Sequence, residues 1–389
     1  MDEIEAFLGG KSRLAVLLKH FSEIEDDREA WRVDHPLPEV LFLVVCGSIV
    51  DCDDFDLISE WGKAHLDFLR TVLPYRNGVP CGRWLNILMN RINPAVFSDC
   101  FTTWVRETWP EQVDFVAIDG KTSRRSHDRA KGKAALHLVS AFATTRRLVL
   151  AQEAVPEKAN ETTAIPVLVE RLGANGGLKG ALVSIDAIAC NGTIASAIRE
   201  QGADYLLAVK NNQPGLRAET QALFETAAAE DLETVTDLDK GHGRIEERTV
   251  TVCRAVDWLA GDRRFPGELR LPDVATVIKV DSRAEIKDKT RTETRYYISS
   301  AALSAQAAAD AVRSHWAIEN SLHWVLDVTF KDDLSRVRTG HGAKNMAVVR
   351  HFAFNLVRAV SDKRTLKTRR KRAAWDTSYL ASILNMNIP

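Results

Sequence analysis

Apolar residues recur at helical spacing through the first quarter of the chain, in Leu14-Leu17-Leu18-Phe21, across Leu41 to Ile58 and from Trp84 to Phe101. Residues 1–105 therefore read as a helical domain. The pattern changes at Val113. VDFVAIDG (113–120), ALHLVSAFA (135–143) and RLVLAQEAV (147–155) are short β-prone runs, and three in succession predict an antiparallel meander. A helix over 162–172, a strand over 181–186, a helix over 193–200 and a strand over 204–210 follow, and that alternation predicts crossover connections with parallel pairing. After a helix over 215–230, β patterning returns at 247–256, 274–280 and 294–300 and reads as an inserted unit. Helices are expected over 305–326 and 343–360.

The fold class that results is α/β, with a mixed-sheet core. Its divisions are the helical domain (1–105), a first part of the core (106–230), a β-rich insertion (231–300), final core helices (301–360) and a basic C-terminal tail (361–389). At 389 residues and 45% hydrophobic, the chain can bury such a core. The longest apolar run, Val40 to Val50, falls well short of the roughly 20 residues that span a bilayer, so it predicts a buried helix and no membrane role. An acidic N-terminus without a signal pattern points to the cytoplasm, among the nucleoid. The six cysteines are scattered without metal-binding spacing and read as free thiols.

A net charge of −1 does not exclude a nucleic-acid partner, because the charge is clustered. Acids concentrate in Glu23–Asp27 and Asp51–Asp56. Bases concentrate between Lys121 and Lys133, which includes Arg124, Arg125, Arg129 and Lys131, and in KRTLKTRRKR (363–372), seven basic residues in ten.

Two acids end apolar strands in comparable places, Asp119 before Gly120 and Asp186 before Ala187. An aspartate at such a position is more often a turn former than a catalyst, but two in one mixed sheet suggest more. RSHWAIENSLHWVLDVTF (313–330) supplies the third. Helical spacing places Trp316, Glu319, Asn320, His323 and Asp327 on one broad face, too many polar groups for a plain core helix. Three carboxylates from two strands and a helix can hold two Mg²⁺ (or Mn²⁺) ions of the kind that clamp a phosphodiester in phosphoryl transfer.

AIDGKTSR (117–124), HLVSAFA (137–143), SIDAIACN (184–191), GADYLLAVKNNQ (202–213) and HWAIENSLHWVLDVTFKDD (315–333) together resemble the DDE-superfamily insertion-sequence transposases, in the branch of the H-repeat-associated proteins. The resemblance runs over nearly the whole chain and implies an RNase-H-like core interrupted by a β-rich insertion. Asp119 and Asp186, 67 residues apart, then look like the family's two aspartates, and Glu319, 133 residues further on, its glutamate. The implied activity is cleavage at element ends and transfer of the freed 3′-OH to target DNA. The implied partners are double-stranded DNA, both terminal repeats and target, and a second copy of the chain in the DNA complex.

Related transposases often carry an Arg four residues before the glutamate and a Lys seven after it; here these positions are His315 and Leu326. Arg313, His323 and Lys331 are the candidates to replace those phosphate contacts. Lys121, Arg124, Arg125, Lys210, Asn211 and the tail residues Arg369, Arg370, Lys371 and Arg372 are further DNA-binding candidates. Recognition of the terminal repeats is expected in the N-terminal helices. The departure at Pro80-Cys81-Gly82-Arg83, where relatives usually show a Ser-His-Asp-like stretch, keeps a decayed, non-cutting DNA-binding copy as the alternative. A compact nuclease such as a junction resolvase is a third reading, disfavoured by the insertion and the basic tail.

Overall fold

The computed structural model describes residues 12–128, 132–157, 159–241, 244–256, 270–286 and 289–386. Its N-terminal part is helical: α1 (Arg13–Glu23), α2 (Leu37–Ile49), α3 (Phe55–Ala64), α4 (Leu66–Arg70), α5 (Gly82–Arg91) and α6 (Pro94–Thr108). Ser12, Asp54 and Asn93 cap α1, α3 and α6 with side-chain oxygens on free backbone N–H groups. The apolar run that starts at Val40 lies in α2, whose residues from Glu39 onward are all buried, so its uniform hydrophobicity marks a central helix. Among the described residues, no helix is long and apolar enough to cross a membrane.

Nine strands among the described residues form one sheet. They are β1 (Phe115–Ser123), β2 (Leu136–Ala143), β3 (Leu148–Ala154), β4 (Leu182–Ile185), β5 (Asp204–Val209), β6 (Leu232–Gly241), β7 (Arg244–Cys253), β8 (Thr276–Ile286) and β9 (Lys289–Ser299), in the order β3-β2-β1-β4-β5-β9-β8-β7-β6. The first three pair antiparallel, as the meander predicted, while β4 and β5 join β1 in parallel. This is the RNase-H-like α/β arrangement expected. The β-rich segment is not set apart from it, because β9 pairs with β5 and continues the core sheet. The sequence missed β6. Its residues are mostly exposed and polar, so it shows no alternation of buried and exposed positions, and it is held by pairing with β7 and by cross-strand Thr234–Thr251 and Thr236–Thr249 contacts.

Helices α7 (Glu161–Gly173) and α8 (Gly192–Glu200) cover one face of the core strands, packing Ile165, Leu168, Ile194 and Ile198 against Val116, Ile118, Val139 and Val183. Helix α9 (Pro214–Thr226) leads into β6. The expected long helix after β9 is broken into α10 (Ala305–His315), a π-helical turn at Glu319–His323 and α11 (Trp324–Val328). Helices α12 (Gly342–Arg358), α13 (Leu366–Trp375) and α14 (Thr377–Leu384) close the chain. The other sheet face, with Ala117, Phe142 and Val149, shares one core with α1, α2, α6, α11, α12 and α14. The edge strand β3 is blunted by Asn355 of α12, whose amide donates to the Val149 carbonyl at 2.8 Å and whose carbonyl accepts from the Val149 N–H at 2.9 Å.

The basic tail is folded. Arg369 and Arg370 lie on the buried face of α13 with Leu366 and Ala373, at 6% and 2% exposure, so neither is the exposed surface cation that was expected. Arg369 pairs with Asp362 at 2.8 Å and donates to the Val357 carbonyl. Arg370 reaches back to the N-terminal helices, pairing with Asp51 at 3.0 Å and donating to the carbonyls of Ser48 and Thr329, with its guanidinium over the Phe330 ring. Arg372 stacks on Tyr379, and Lys371 remains exposed. Removing one member of a buried ion pair strands the other. Arg370→Ala is therefore expected to destabilise the chain by about 3–5 kcal/mol in chemical denaturation, whereas Lys371→Ala leaves the midpoint close to wild type.

Candidate active site

Strands β1 and β4 are in parallel register, with Ala117 opposite Ser184 and Ile118 opposite Ile185. Asp119 is the next residue of β1 and Asp186 comes directly after the end of β4, so the two acids follow adjacent paired positions. With a side-chain period of two, Asp119 shares the face of Ala117, which lies in the core beneath the π-helical turn. Glu319 opens that turn. A π turn inserts a residue into the helix and is a frequent feature of functional sites. Here it accompanies the placement of Glu319 over β1.

The ligand atoms of Asp119, Glu319 and His323 all lie within 4.8 Å of one another. His323 Nδ1 stands 3.6 Å from both Asp119 Oδ2 and Glu319 Oε2. Its ring is buried, and Nε2 has no hydrogen-bond partner. His323 is thus a member of the acidic cluster and not the exposed phosphate contact expected. Asp186 lies outside that trio. Lys210, just past the end of β5, donates to it at 2.9 Å, and His315 stands nearby, hydrogen-bonded to Ser184 at 2.9 Å.

Burial raises the Asp119 carboxyl to about 7, against the pull of His323 and the Gly120 N–H, with Glu319 and Glu161 adding repulsion. The interaction with His323 holds Glu319 below its usual range, ahead of an opposing burial effect. Of the two carboxyls, Asp119 is thus the one that burial biases towards its protonated form. For Asp186, burial is the largest influence and opposes ionisation, but the Lys210 hydrogen bond, the Ala187 N–H and the charges of Lys210 and His315 together hold the carboxyl low.

Glu161 and His137 belong to this neighbourhood and were not singled out from the sequence. They hydrogen-bond at 2.7 Å beside Gly120, where any Cβ would collide with the Glu161 carboxylate. The glycine after Asp119 thus leaves room for that pair, which lies 24 residues apart in sequence and only becomes local through β2 and α7.

Several expected DNA contacts are engaged elsewhere. Lys121 is buried in a second acidic cluster, 2.5 Å from Asp327 and 3.6 Å from both Asp332 and Asp333, while Arg350 pairs with Asp332 at 2.8 Å. Lys121 thus neutralises protein acids. Arg313 pairs with Asp237 on β6, and Lys331 pairs with Asp53 at 2.5 Å, so both are engaged by protein carboxylates. Leu326 is buried in the core. Arg124 and Arg125 are exposed, Arg124 beside Asp333, and Asn211 is exposed and accepts from Arg217. Arg129 and Lys131 of the same basic run lie outside the described residues.

A family model described as Transposase DDE domain matches residues 111–356, and one described as DDE_Tnp_1-associated matches residues 18–105. The chain belongs to the DDE transposase family. The H repeat-associated putative transposase YhhI of Escherichia coli (strain K12) is 37% identical over 379 residues, covering 95% of this chain and 98% of that protein. The H repeat-associated putative transposase YbfD of the same strain is 36% identical over 249 residues, 63% of this chain and 97% of that one. Among solved structures, a piggyBac transposase synaptic complex with hairpin DNA aligns with 98% of this chain and 80% of that chain, at 12% identity and a TM-score of 0.42.

The donor set of this DDE protein fits a divalent cation. Two carboxylates and an imidazole converge, burial biases one carboxyl towards its protonated form when no cation is bound, and a nearby polar atom is orphaned. Folding raises the Asp119 carboxyl above the value of about 3.9 in an unfolded chain, so it favours the protonated form. Stability therefore falls as pH rises from about 4 to 7 and stays at the lower level above that. Asp119→Asn is expected to raise the metal-free melting temperature at pH 8 and not at pH 4, and Mn²⁺ to raise that of wild type more than that of the variant. Equal midpoints throughout a thermal scan series would contradict this account of the site.

Proposed function

We propose that the chain is an active transposase that cuts DNA at the ends of its own element and joins the freed 3′-OH to target DNA, with Asp119, Asp186 and Glu319 as its metal ligands. The observation that carries this reading is the convergence of Asp119 and Glu319 from a central strand and a π-helical turn, with Asp186 directly after the end of the neighbouring parallel strand. Two Mg²⁺ (or Mn²⁺) ions bound there would activate the attacking oxygen and neutralise charge on the phosphodiester.

The chain's own residues have distinct parts in this reading. Asp119 offers an oxygen ligand from the sheet, where it pairs with Ser140 of β2 and directly follows Ile118, the last residue of β1 paired with β4. Lys210 keeps Asp186 ionised in the absence of metal and is the cation placed to move to a substrate phosphate when metal takes the carboxylate. His323 joins Asp119 and Glu319, its Nδ1 standing 3.6 Å from an oxygen of each. Double-stranded DNA, as terminal repeat and as target, is the proposed substrate, with two copies of the chain bringing two ends together. Arg124, Arg125 and Asn211 are the exposed residues near these elements that remain as backbone contacts.

The reading in which this copy binds DNA without cutting is weakened by the intact acid set. The test is cleavage of a labelled duplex bearing the element's terminal repeat, with Mg²⁺ or Mn²⁺. Wild type is expected to nick at the repeat end. Asp119→Asn, Asp186→Asn and Glu319→Gln are each expected to lower the rate at least about a hundredfold while DNA affinity stays within a few-fold, because each removes a metal ligand and no phosphate contact. Binding without metal-dependent nicking by wild type would favour the non-cutting alternative, and loss of binding in all three variants would refute the ligand assignment.

A further inference from the structure

The segment that leaves the active site makes a second polar feature. After α11 the chain passes through Thr329 and Lys331, and these line a cleft of about 240 Å³ whose opposite wall is α13 and whose floor is Asp51. Four cations line it, Lys331, Lys367, Arg370 and Lys371, against that single carboxylate. Lys367 and Lys371 are four residues apart on α13 and both exposed, so one helical face presents them together.

The donors are under-used. Arg370 is 2% exposed, and although its terminal nitrogens are bonded, its Nε has no acceptor. Lys371 stands 3.5 Å and Lys331 4.0 Å from Asp51, beyond a good charge-assisted bond, although Asp53 engages Lys331 from outside the cleft. Lys367 has no ion-pair partner among the described residues. A cleft with excess positive charge and unmet N–H donors is matched by an anion with several oxygen acceptors, and its volume accommodates about eight water-sized units, room for a phosphate together with its sugar.

We infer that this cleft binds a backbone phosphodiester of the DNA whose cleavage is proposed above, on which this inference rests. Val328, at the cleft, is nine residues beyond Glu319 on the same helical run, roughly 13 Å along an axis rising 1.5 Å per residue. A duplex covers that distance in about four base pairs. The cleft thus holds the duplex a few base pairs from the scissile bond, reading position and not sequence. Arg370 sets the shape of the site from within, and the two α13 lysines supply the removable contacts.

The test uses the full chain with Lys367→Gln and Lys371→Gln combined, both surface changes that spare Arg370. Affinity for terminal-repeat duplex is measured from ~50 to ~200 mM salt, with thermal melting as a check on the fold. The double variant is expected to lower the slope of log affinity against log salt by about 2, so that the fall over this range is about tenfold smaller than for wild type. A single neutral methylphosphonate, stepped along the strand, is expected to weaken wild type at one position within a few base pairs of the cut and to leave the double variant unaffected there. A duplex that binds wild type and the folded variant with the same slope overturns the inference while leaving the transposase reading intact. So does binding of inorganic pyrophosphate that the variant loses with no change in DNA affinity. Absence of any DNA binding by wild type would instead remove the transposase reading itself.

Discussion

Everything at the site follows from one pairing constraint, the parallel register of β1 on β4. Because a strand exposes alternate residues on alternate faces, a slip by one position would turn Asp119 towards the α7–α8 side and leave Asp186 without its neighbour. The register is fixed from both flanks. Val116 and Ile118 are packed under α7 and α8, Ala117 is packed under the opposite layer, and β2 holds the other edge of β1 through eight paired positions. The catalytic helix then only has to deliver Glu319 to a place already defined, and its π-helical turn does so at the expense of regular hydrogen bonding.

The strands of the core were legible because their burial on both faces produces dense apolar runs between polar turns, and the acids stand out as the first charges after those runs. The β-rich segment was legible in part: β7, β8 and β9 bury Val250, Val252, Ile278 and Ile298, whereas β6 is mostly exposed, with Val235 only partly buried against that core, and carries no clear periodic signal. What sequence reasoning could not supply were contacts made by distant elements. Glu161 beside Gly120, Lys210 on Asp186 and Ser184 on His315 depend on how strands and helices are laid together, and no local spacing encodes them. His323 showed its chemistry in the sequence but not its burial.

The charged segments misled for a related reason. Read locally, an acidic stretch near residue 51 and a basic one near residue 370 are two solvated patches. In the folded chain they are one interaction, with Asp51 taking Arg370 and, at longer range, Lys331 and Lys371. Likewise Lys121 is absorbed by Asp327, Asp332 and Asp333. Much of the net neutrality of the chain is therefore internal, and the cations left for a polyanion are the few whose partners are distant or absent.

The Asp51–Arg370 contact also has a meaning in time. At roughly 5–20 residues per second, a ribosome spends tens of seconds between making one partner and the other. Throughout that interval the N-terminal helices carry an acidic floor without its buried counterion, and the core they share with α12 and α14 is unfinished. Docking of α13 then supplies that counterion and adds the Arg370 bond to the Thr329 carbonyl to the ties that the segment after α11 has through Lys121, Arg350 and Asp53. A nascent chain that already contains all three acids is still short of α13, and so of one of the elements that fasten the end of the catalytic helix.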